Sequence, residues 1–308
     1  MSDVLSDIFN TIRLRGTLYF RTDYSPPWAI AVPALTQAAR FHLVAQGRCH
    51  VRLESGRAFD LGAGDLILIP RGQAHVLADR ADRKPAPLEK VLQQSGYNGR
   101  GAFVVGKGDP AASTQLVCGH FTFAEGADHP LLRALPDAIV VTSADRARYP
   151  LLDEALRLVV RLALVEELGA AASIARLSEM FFIETVRISS ERIPELGRVL
   201  KAMTDRHVGR ALELIHNEPG KPWTVQTLAA QVGMSRSRFA DRFSELMGDG
   251  PMSYLADWRL QRALVLLGRP RANVQQVAHD IGYQSAAAFT RAFSQKFGLP
   301  PSGFRREA

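Results

Sequence analysis

The stretch "SRSRFADRFSELMG", residues 235–248, sets Phe239 and Phe243 four apart on one face of a helix. The opposite face carries Arg236, Ser237, Ala240 and Asp241. That face is left for something outside the domain. An arginine fork matches O6 and N7 of guanine, and a carboxylate accepts from N4 of cytosine or orients a neighbouring arginine, here Arg238 or Arg242. A near twin, "SAAAFTRAFSQKFG", follows at 285–298, with alanines where the first copy has arginines.

The elements that would position these side chains are written twice. Leu228, Ala229, Val232 and Gly233 return as Val277, Ala278, Ile281 and Gly282, at an offset of 49. Phe239, Phe243, Gly248 and Pro251 return as Phe289, Phe293, Gly298 and Pro301 at an offset of 50, so one extra residue sits in the second turn. Each copy reads as helix, glycine turn and serine-started helix, the outline of a helix-turn-helix. Glycine supplies the positive φ of the turn, and Ala229 and Ala278 are small enough for close approach. Two such units on one domain would reach two groove segments about one helical turn, roughly 34 Å, apart. The competing reading is a tandem helical hairpin whose basic side chains only solvate a surface. Against it stands the charge distribution: residues 205–308 hold 14 Lys plus Arg against 9 Asp plus Glu, net +5 of a total of +7. That is the field a polyanion would meet.

The 308 residues exceed one typical core, and 46% are hydrophobic, which favours at least two domains. From about 17 to 124, short β-branched and aromatic runs alternate with Gly, Pro, Asp and Ser, the pattern of antiparallel strands in a sandwich or small barrel. The segment "DRADRKPAPLEKVLQQSGYNGRG" breaks this rhythm and reads as a long surface loop. From Leu151 the period becomes three and four: one helix through "LLDEALRLVVRLALVEELG", stopped at Gly169, and a second through "SIARLSEMFFIETVRISS". An apolar hairpin of this kind is expected to brace domains or pair two copies of the chain. The amino terminus has no signal-peptide pattern, and charges interrupt every apolar stretch well before eighteen residues, so a cytoplasmic protein with no membrane span is expected. Two cysteines, Cys49 and Cys118, are too few for a disulfide scaffold.

Residues from about 206 to 306 resemble the DNA-binding domain of the AraC/XylS family of bacterial transcription regulators. The likeness runs through "WTVQTLAAQVGMSRSRFADRFSELMGDGPMSYLADWRLQRALVLL" and "VQQVAHDIGYQSAAAFTRAFSQKFGLPPSGFRR". It implies base readout by Arg236, Ser237, Ala240 and Asp241 in the first copy and by Ala286, Ala287, Thr290 and Arg291 in the second. Arg238, Arg242, Lys296, Arg305 and Arg306 are expected as phosphate clamps, which position the protein without specifying sequence. The implied partners are double-stranded promoter DNA, a second copy of the chain and, for an activator, RNA polymerase.

"RFHLVAQGRCHVRLESGRAFDLGAGDLILIPRGQAHVL", with "LVCGHFTF" and "HPLLRALPDAIVV" beyond it, is similar to the cupin-type sensor domains attached to members of this family. Enzymatic cupins are expected to converge a His-x-His, a Glu and a later His on one metal. Phe41-His42-Leu43 lacks the paired histidine, and no Glu stands in the expected place. A cupin metalloenzyme fused to a DNA-binding module is therefore the alternative, and a non-enzymatic regulator the first reading. The barrel interior is the expected effector pocket, lined by Trp28, His42, Val44, His75, Val117 and Cys118. Should His42, His75, Cys118 and His120 converge, that set would suit zinc. A solvent-accessible Cys118 of lowered pKa would instead sense oxidants.

The expected architecture is α+β: a cupin-like β-barrel over 1–145, a helical linker and dimerisation hairpin over 146–200, and an all-α domain with two helix-turn-helix motifs over 201–308. The expected function is a DNA-binding transcription regulator, an activator controlled by a small effector, metal or redox signal.

Overall fold

Alternating apolar and polar positions give strands that bury one face, and a strand covered on both sides reads as a continuous apolar run. Both patterns occur. The computed structural model describes residues 3–99, 101–106, 112–164 and 167–304. Its strands are β1 (Arg15–Tyr24), β2 (Ala29–Val32), β3 (Ala38–Gln46), β4 (Arg48–Leu53), β5 (Ala58–Gly62), β6 (Leu66–Ile69), β7 (His75–Ala78), β8 (Ala86–Pro87), β9 (Ala102–Val105), β10 (Thr114–Thr122) and β11 (Ile139–Val141). Its helices are α1 (Val4–Thr11), α2 (Leu88–Ser95), α3 (Pro130–Arg133), α4 (Ser143–Arg146), α5 (Pro150–Ala163), α6 (Ala170–Ser189), α7 (Pro194–Thr204), α8 (Val208–Asn217), α9 (Val225–Gln231), α10 (Arg236–Met247), α11 (Pro251–Leu267), α12 (Val274–Asp280) and α13 (Ala286–Phe297). None of these helices is long and apolar enough to cross a membrane.

The strands form two sheets, ordered β11-β6-β3-β10-β1-β9 and β5-β4-β7-β2-β8. Among the described residues no ladder joins the edges of the two sheets, so the expected closed barrel is a cupin-like sandwich with two separate sheets. Its core holds Tyr24, Val44, Ile67, Leu116 and Cys118 from the first sheet, Val51 and Leu77 from the second, and Trp28 just before β2 of the second. β3 is buried on both faces because α6 covers its outer one. There Phe41 meets Phe181 edge to face at 5.0 Å, and Phe121 meets Phe182 at 4.8 Å. Gly16 lets the helix approach: a β-carbon there would lie 2.9 Å from the Ala175 carbonyl oxygen and from Ser178 Cβ.

Two expectations change. The segment read as a surface loop contains β8 and α2, because Leu88, Val91 and Leu92 are spaced to bury one helical stripe against the sandwich core. The helix expected to stop at Gly169 ends at Ala163, where the Arg21 guanidinium donates to the carbonyls of Ala163 and Leu164.

The chain forms two compact units that are not contiguous in sequence. One comprises Leu14–Phe123 and Pro136–Ser189, so the α5/α6 hairpin belongs to the sandwich. The other joins the chain up to Arg13, the segment Ala124–Leu135 and everything from Ser190 onward. The fold thus divides at 189/190 rather than at 200/201, and α7 belongs to the helical unit. The helical unit also takes α1, with Ile8, Phe9 and Ile12 buried, and a short piece that follows β10 directly.

Candidate nucleic-acid interface and sensor core

In the helical unit the sequence repeat becomes a structural one. α9 and α12 each span seven residues, α10 and α13 each span twelve, and they begin 49 and 50 residues apart respectively. The turns match: Met234 N–H donates to the Ala229 carbonyl at 2.9 Å, and Tyr283 N–H to the Ala278 carbonyl at 2.9 Å. Gly233 and Gly282 both have positive φ, +70° and +85°. Phe239 and Phe243 are fully buried on the inner face of α10, and Phe289 and Phe293 on that of α13.

The outer faces are left open. Arg236, Ser237, Arg238 and Asp241 on α10 are exposed, with Ala240 beside them half-buried. On α13, Ala287 and Arg291 are exposed, and Ala286 and Thr290 half-buried. Two expected phosphate clamps are engaged elsewhere. Arg242 pairs with Asp205 at 2.8 Å and with Glu245 at 3.4 Å; Lys296 pairs with Asp257 at 2.6 Å and Asp128 at 3.1 Å. A cation held by carboxylates has less charge left for a phosphate, so both become structural ties. Arg305 and Arg306 lie outside the described residues.

In the sandwich, three of the four candidate ligands come together as a row. Cys118 on β10 stands directly opposite His42 on β3, its Sγ 3.0 Å from His42 Nδ1. The other nitrogen of that ring, Nε2, is 2.8 Å from His75 Nε2, and His75 Nδ1 is 2.9 Å from the Gln73 carbonyl oxygen. Only one assignment of protons satisfies every partner. His75 Nδ1–H donates to the carbonyl, His42 Nε2–H donates to His75 Nε2, and the Cys118 thiol donates to His42 Nδ1. The row ties β3 and β10 of one sheet to β7 of the other.

This geometry does not fit a cupin metal centre. His42 spends one ring nitrogen on each neighbour, so the imidazole bridges the other two groups where a ligand set would have all three face one point. Among the described residues no three His, Cys, Asp or Glu side chains converge in that way. His120, on the same face of β10 but two residues along, is half-buried opposite Arg40 in the register and takes no part in the row. Nor does Cys118 meet the conditions set for an oxidant sensor. It is 2% exposed, and burial, with Cys49 nearby, pushes its thiol well above the usual range. Burial pushes Cys49 up to about 12. Burial, then His75 and Arg40, hold His42 well below the usual histidine value, and burial lowers His75 to about 4. The row is neutral at pH 7.

The residues expected to line an effector pocket divide between the core and the outer side of the sheet. Trp28, Val44 and Cys118 sit in the packed core, Trp28 against Tyr24 at 4.9 Å with no hydrogen-bond partner for its indole N–H among the described residues. Val117 does not join them: neighbouring side chains on a strand point to opposite faces, so with Cys118 inward Val117 points out. A cleft of about 500 Å³ lies between β3 and α5, lined by Leu43, Val44, Arg157, Val160, Arg161 and Leu164 among others. Of the expected pocket residues only Val44 borders it.

A second polar row went unforeseen, in the helical unit. Leu131 N–H donates to His129 Nδ1 at 3.0 Å, which leaves His129 Nε2–H to donate to the Tyr254 oxygen at 3.1 Å. Tyr254 then donates to His216 Nε2 at 2.7 Å, and His216 Nδ1–H faces Asp7 of α1 at 3.8 Å. Trp258 lies flat on His216, ring centroids 3.6 Å apart. These groups come from four separate stretches of chain, so no local spacing announced them. Only the α1 contribution had a sequence signal: Val4, Ile8, Phe9 and Ile12 at helical spacing behind Asp3, whose carboxylate caps Ser6 N–H.

Comparison with known proteins finds two domains in the same order along the chain, with α1 and residues 124–135 inside the first match. A cupin family model matches residues 3–191, and a helix-turn-helix domain model matches 228–307. The HTH-type transcriptional regulator AlkR of Acinetobacter baylyi is 32% identical over 99% of this chain and 100% of its own length. A putative AraC-like transcription regulator of Streptomyces lividans is 28% identical over 99% of this chain and 98% of its own. The DNA-binding domain of AdpA, solved in complex with a target DNA, is 30% identical over 33% of this chain and 90% of that one, with a TM-score of 0.31. Two helix-turn-helix units with open second helices, a cupin sandwich before them, and full-length likeness to regulators lead to one conclusion: the chain belongs to the AraC-like family of helix-turn-helix transcription regulators and is a DNA-binding regulator.

Proposed function

We propose that this chain is a homodimeric activator of transcription in the cytoplasm, which binds promoter DNA through α10 and α13 and recruits RNA polymerase. Arg236, Ser237, Asp241, Thr290 and Arg291 read bases, with methyl contacts from Ala240, Ala286 and Ala287, and Arg238 holds a phosphate. The observation that carries this reading is the repeat itself. Two helices share one buried scaffold, Phe239 and Phe243 in one and Phe289 and Phe293 in the other, yet differ at every position assigned to base reading, as two readers of different sequence would.

The sandwich unit supplies control. A small effector enters the cleft beside Val44, where arginines border apolar side chains, and acts on β3, the strand that carries His42 of the polar row. Leu151 and Leu164 at the two ends of α5 are about half exposed, 51% and 48%, which supports pairing with a second copy through the hairpin. The metalloenzyme alternative needs a convergent ligand set, which His42, His75 and Cys118 do not form.

The test is selection of genomic fragments by the purified full chain, followed by footprinting and a reporter assay. The expected result is two protected segments in successive turns on one face of the duplex, in promoters whose transcription rises with the protein. Protection without sequence preference overturns the reading.

A further inference from the structure

We propose that residues 124–135 are a clamp that fixes the separation of the two recognition helices, so that Asp128, His129 and Arg133 decide which spacing of DNA contacts the chain accepts. The proposal rests on the reading of α10 and α13 as base readers.

This one segment of twelve residues is tied to the end of the first motif, to the helix between the motifs and to the second recognition helix. Arg133 pairs with Asp249, which directly follows the α10 cap. On α11, the linking helix, His129 bonds Tyr254 and the Gly126 carbonyl accepts from Gln261 Nε2 at 2.9 Å. On α13, Asp128 pairs with Lys296 at 3.1 Å, and Gly126 lies against Phe297 so closely that a β-carbon would come within 2.7 Å of its ring. Asp128 also pairs with Arg133 at 3.0 Å, which links the two ends of the clamp.

A spacer helix alone would not hold the two motifs so firmly. α11 has seventeen residues, about 25 Å, and its joints are Gly248–Gly250 at one end and Gly268 at the other. The clamp bypasses both joints. A segment needed only to fill the core would not require charged ties on either side of the linking helix. Its own position is fixed from behind by Ala124 N–H, which donates to the Ile12 carbonyl at 2.7 Å within the helical unit.

The experiment uses the full chain and the duplex it selects from genomic DNA, with one, two or three base pairs inserted or removed between the two protected segments. Each inserted pair turns the second segment by roughly 35°. The unaltered protein is expected to lose at least tenfold in affinity for one inserted pair. Asp128→Asn and Arg133→Gln are expected to keep native-spacing affinity within about fivefold and to lose less than threefold on insertion. Arg133 is nearly half exposed, so its variant tests the clamp even where Asp128→Asn folds poorly. A spacing profile identical to that of the unaltered protein in a folded variant overturns the clamp. Failure of Arg291→Ala to change affinity for the selected duplex would instead overturn the base-reading assignment, so the two failures are separable.

Discussion

Lys296 Nζ, on the second recognition helix, lies 2.6 Å from Asp257 Oδ1 on the helix that joins the two motifs. A lysine already neutralised there, and by Asp128 on its other side, releases few additional counterions when DNA arrives. Arg238 on the first recognition helix is exposed and has no ion pair among the described residues. Affinity measured by fluorescence anisotropy between 50 and 200 mM salt should separate them. Arg238→Ala is expected to lower the slope of log K against log salt by about one, and Lys296→Ala by less than half of that. A full unit lost at Lys296 would return it to the DNA backbone.

Arg291 differs from both. It is exposed on the outer face of α13, in a copy whose other outward residues are mostly alanines without hydrogen-bonding groups. Most polar readout in that segment therefore falls to Arg291 and Thr290. Arg291→Ala is expected to weaken the selected duplex by about 1–3 kcal/mol, and to flatten base preference at one or two positions while leaving random DNA nearly unchanged. Equal loss on selected and random duplexes moves Arg291 among the phosphate contacts.

What the residues disclosed in advance follows the range of the forces involved. The two motifs were legible because the constraints on Gly233, Gly282, Phe239 and Phe289 are local: a positive φ and a four-residue spacing show in the sequence as they stand. Strand existence was legible for the same reason. The facing of Val117 was misjudged although alternation forbids it to share an interior with Cys118, and α2 was missed because Glu89 and Lys90 masked the stripe of Leu88, Val91 and Leu92. The ties of Lys296 and Arg242 were out of reach. Asp128 is 168 residues from Lys296, and Asp205 is 37 from Arg242, so only the folded chain brings these charges together. The row of Cys118, His42 and His75 was half visible: its members were named, but a converging site and a linear row have the same composition.

Acid should destabilise the chain through its buried histidines. Burial holds His75 at about 4, and His42, His129 and His216 also lie below the ordinary value, the last two within the helical unit. A histidine with a depressed folded pKa binds its proton more readily in the unfolded chain. Stability is thus full above about pH 6.5 and declines as pH falls from there toward the folded value. For His75 alone, the loss between pH 7 and pH 5 is roughly 2 kcal/mol. Urea unfolding at the two pH values should show at least this difference, and His75→Gln should reduce it by a similar amount. An unchanged pH dependence in that variant would place the acid lability elsewhere.

The two turn glycines are equivalent in sequence but not in surroundings. Gly233 has φ +70° and open space where a β-carbon would stand. Gly282 has φ +85°, and a β-carbon there would lie 2.6 Å from the carbonyl oxygen of Gly220, in the turn after α8. Alanine at 233 therefore meets only the left-handed backbone penalty, about 1–2 kcal/mol. At 282 it must also displace a backbone, which cannot yield as a flexible side chain would, and the cost is expected to be at least twice as large. Unfolding of the full chain in urea measures both. The same contact predicts a functional asymmetry. Gly220 belongs to the stretch that leads into the first motif, so Gly282→Ala should disturb DNA binding by both recognition helices, whereas Gly233→Ala should weaken mainly the segment read by α10. Footprints of the two variants decide it: loss confined to one protected segment in both would show that the Gly220 turn does not brace the second motif against the first.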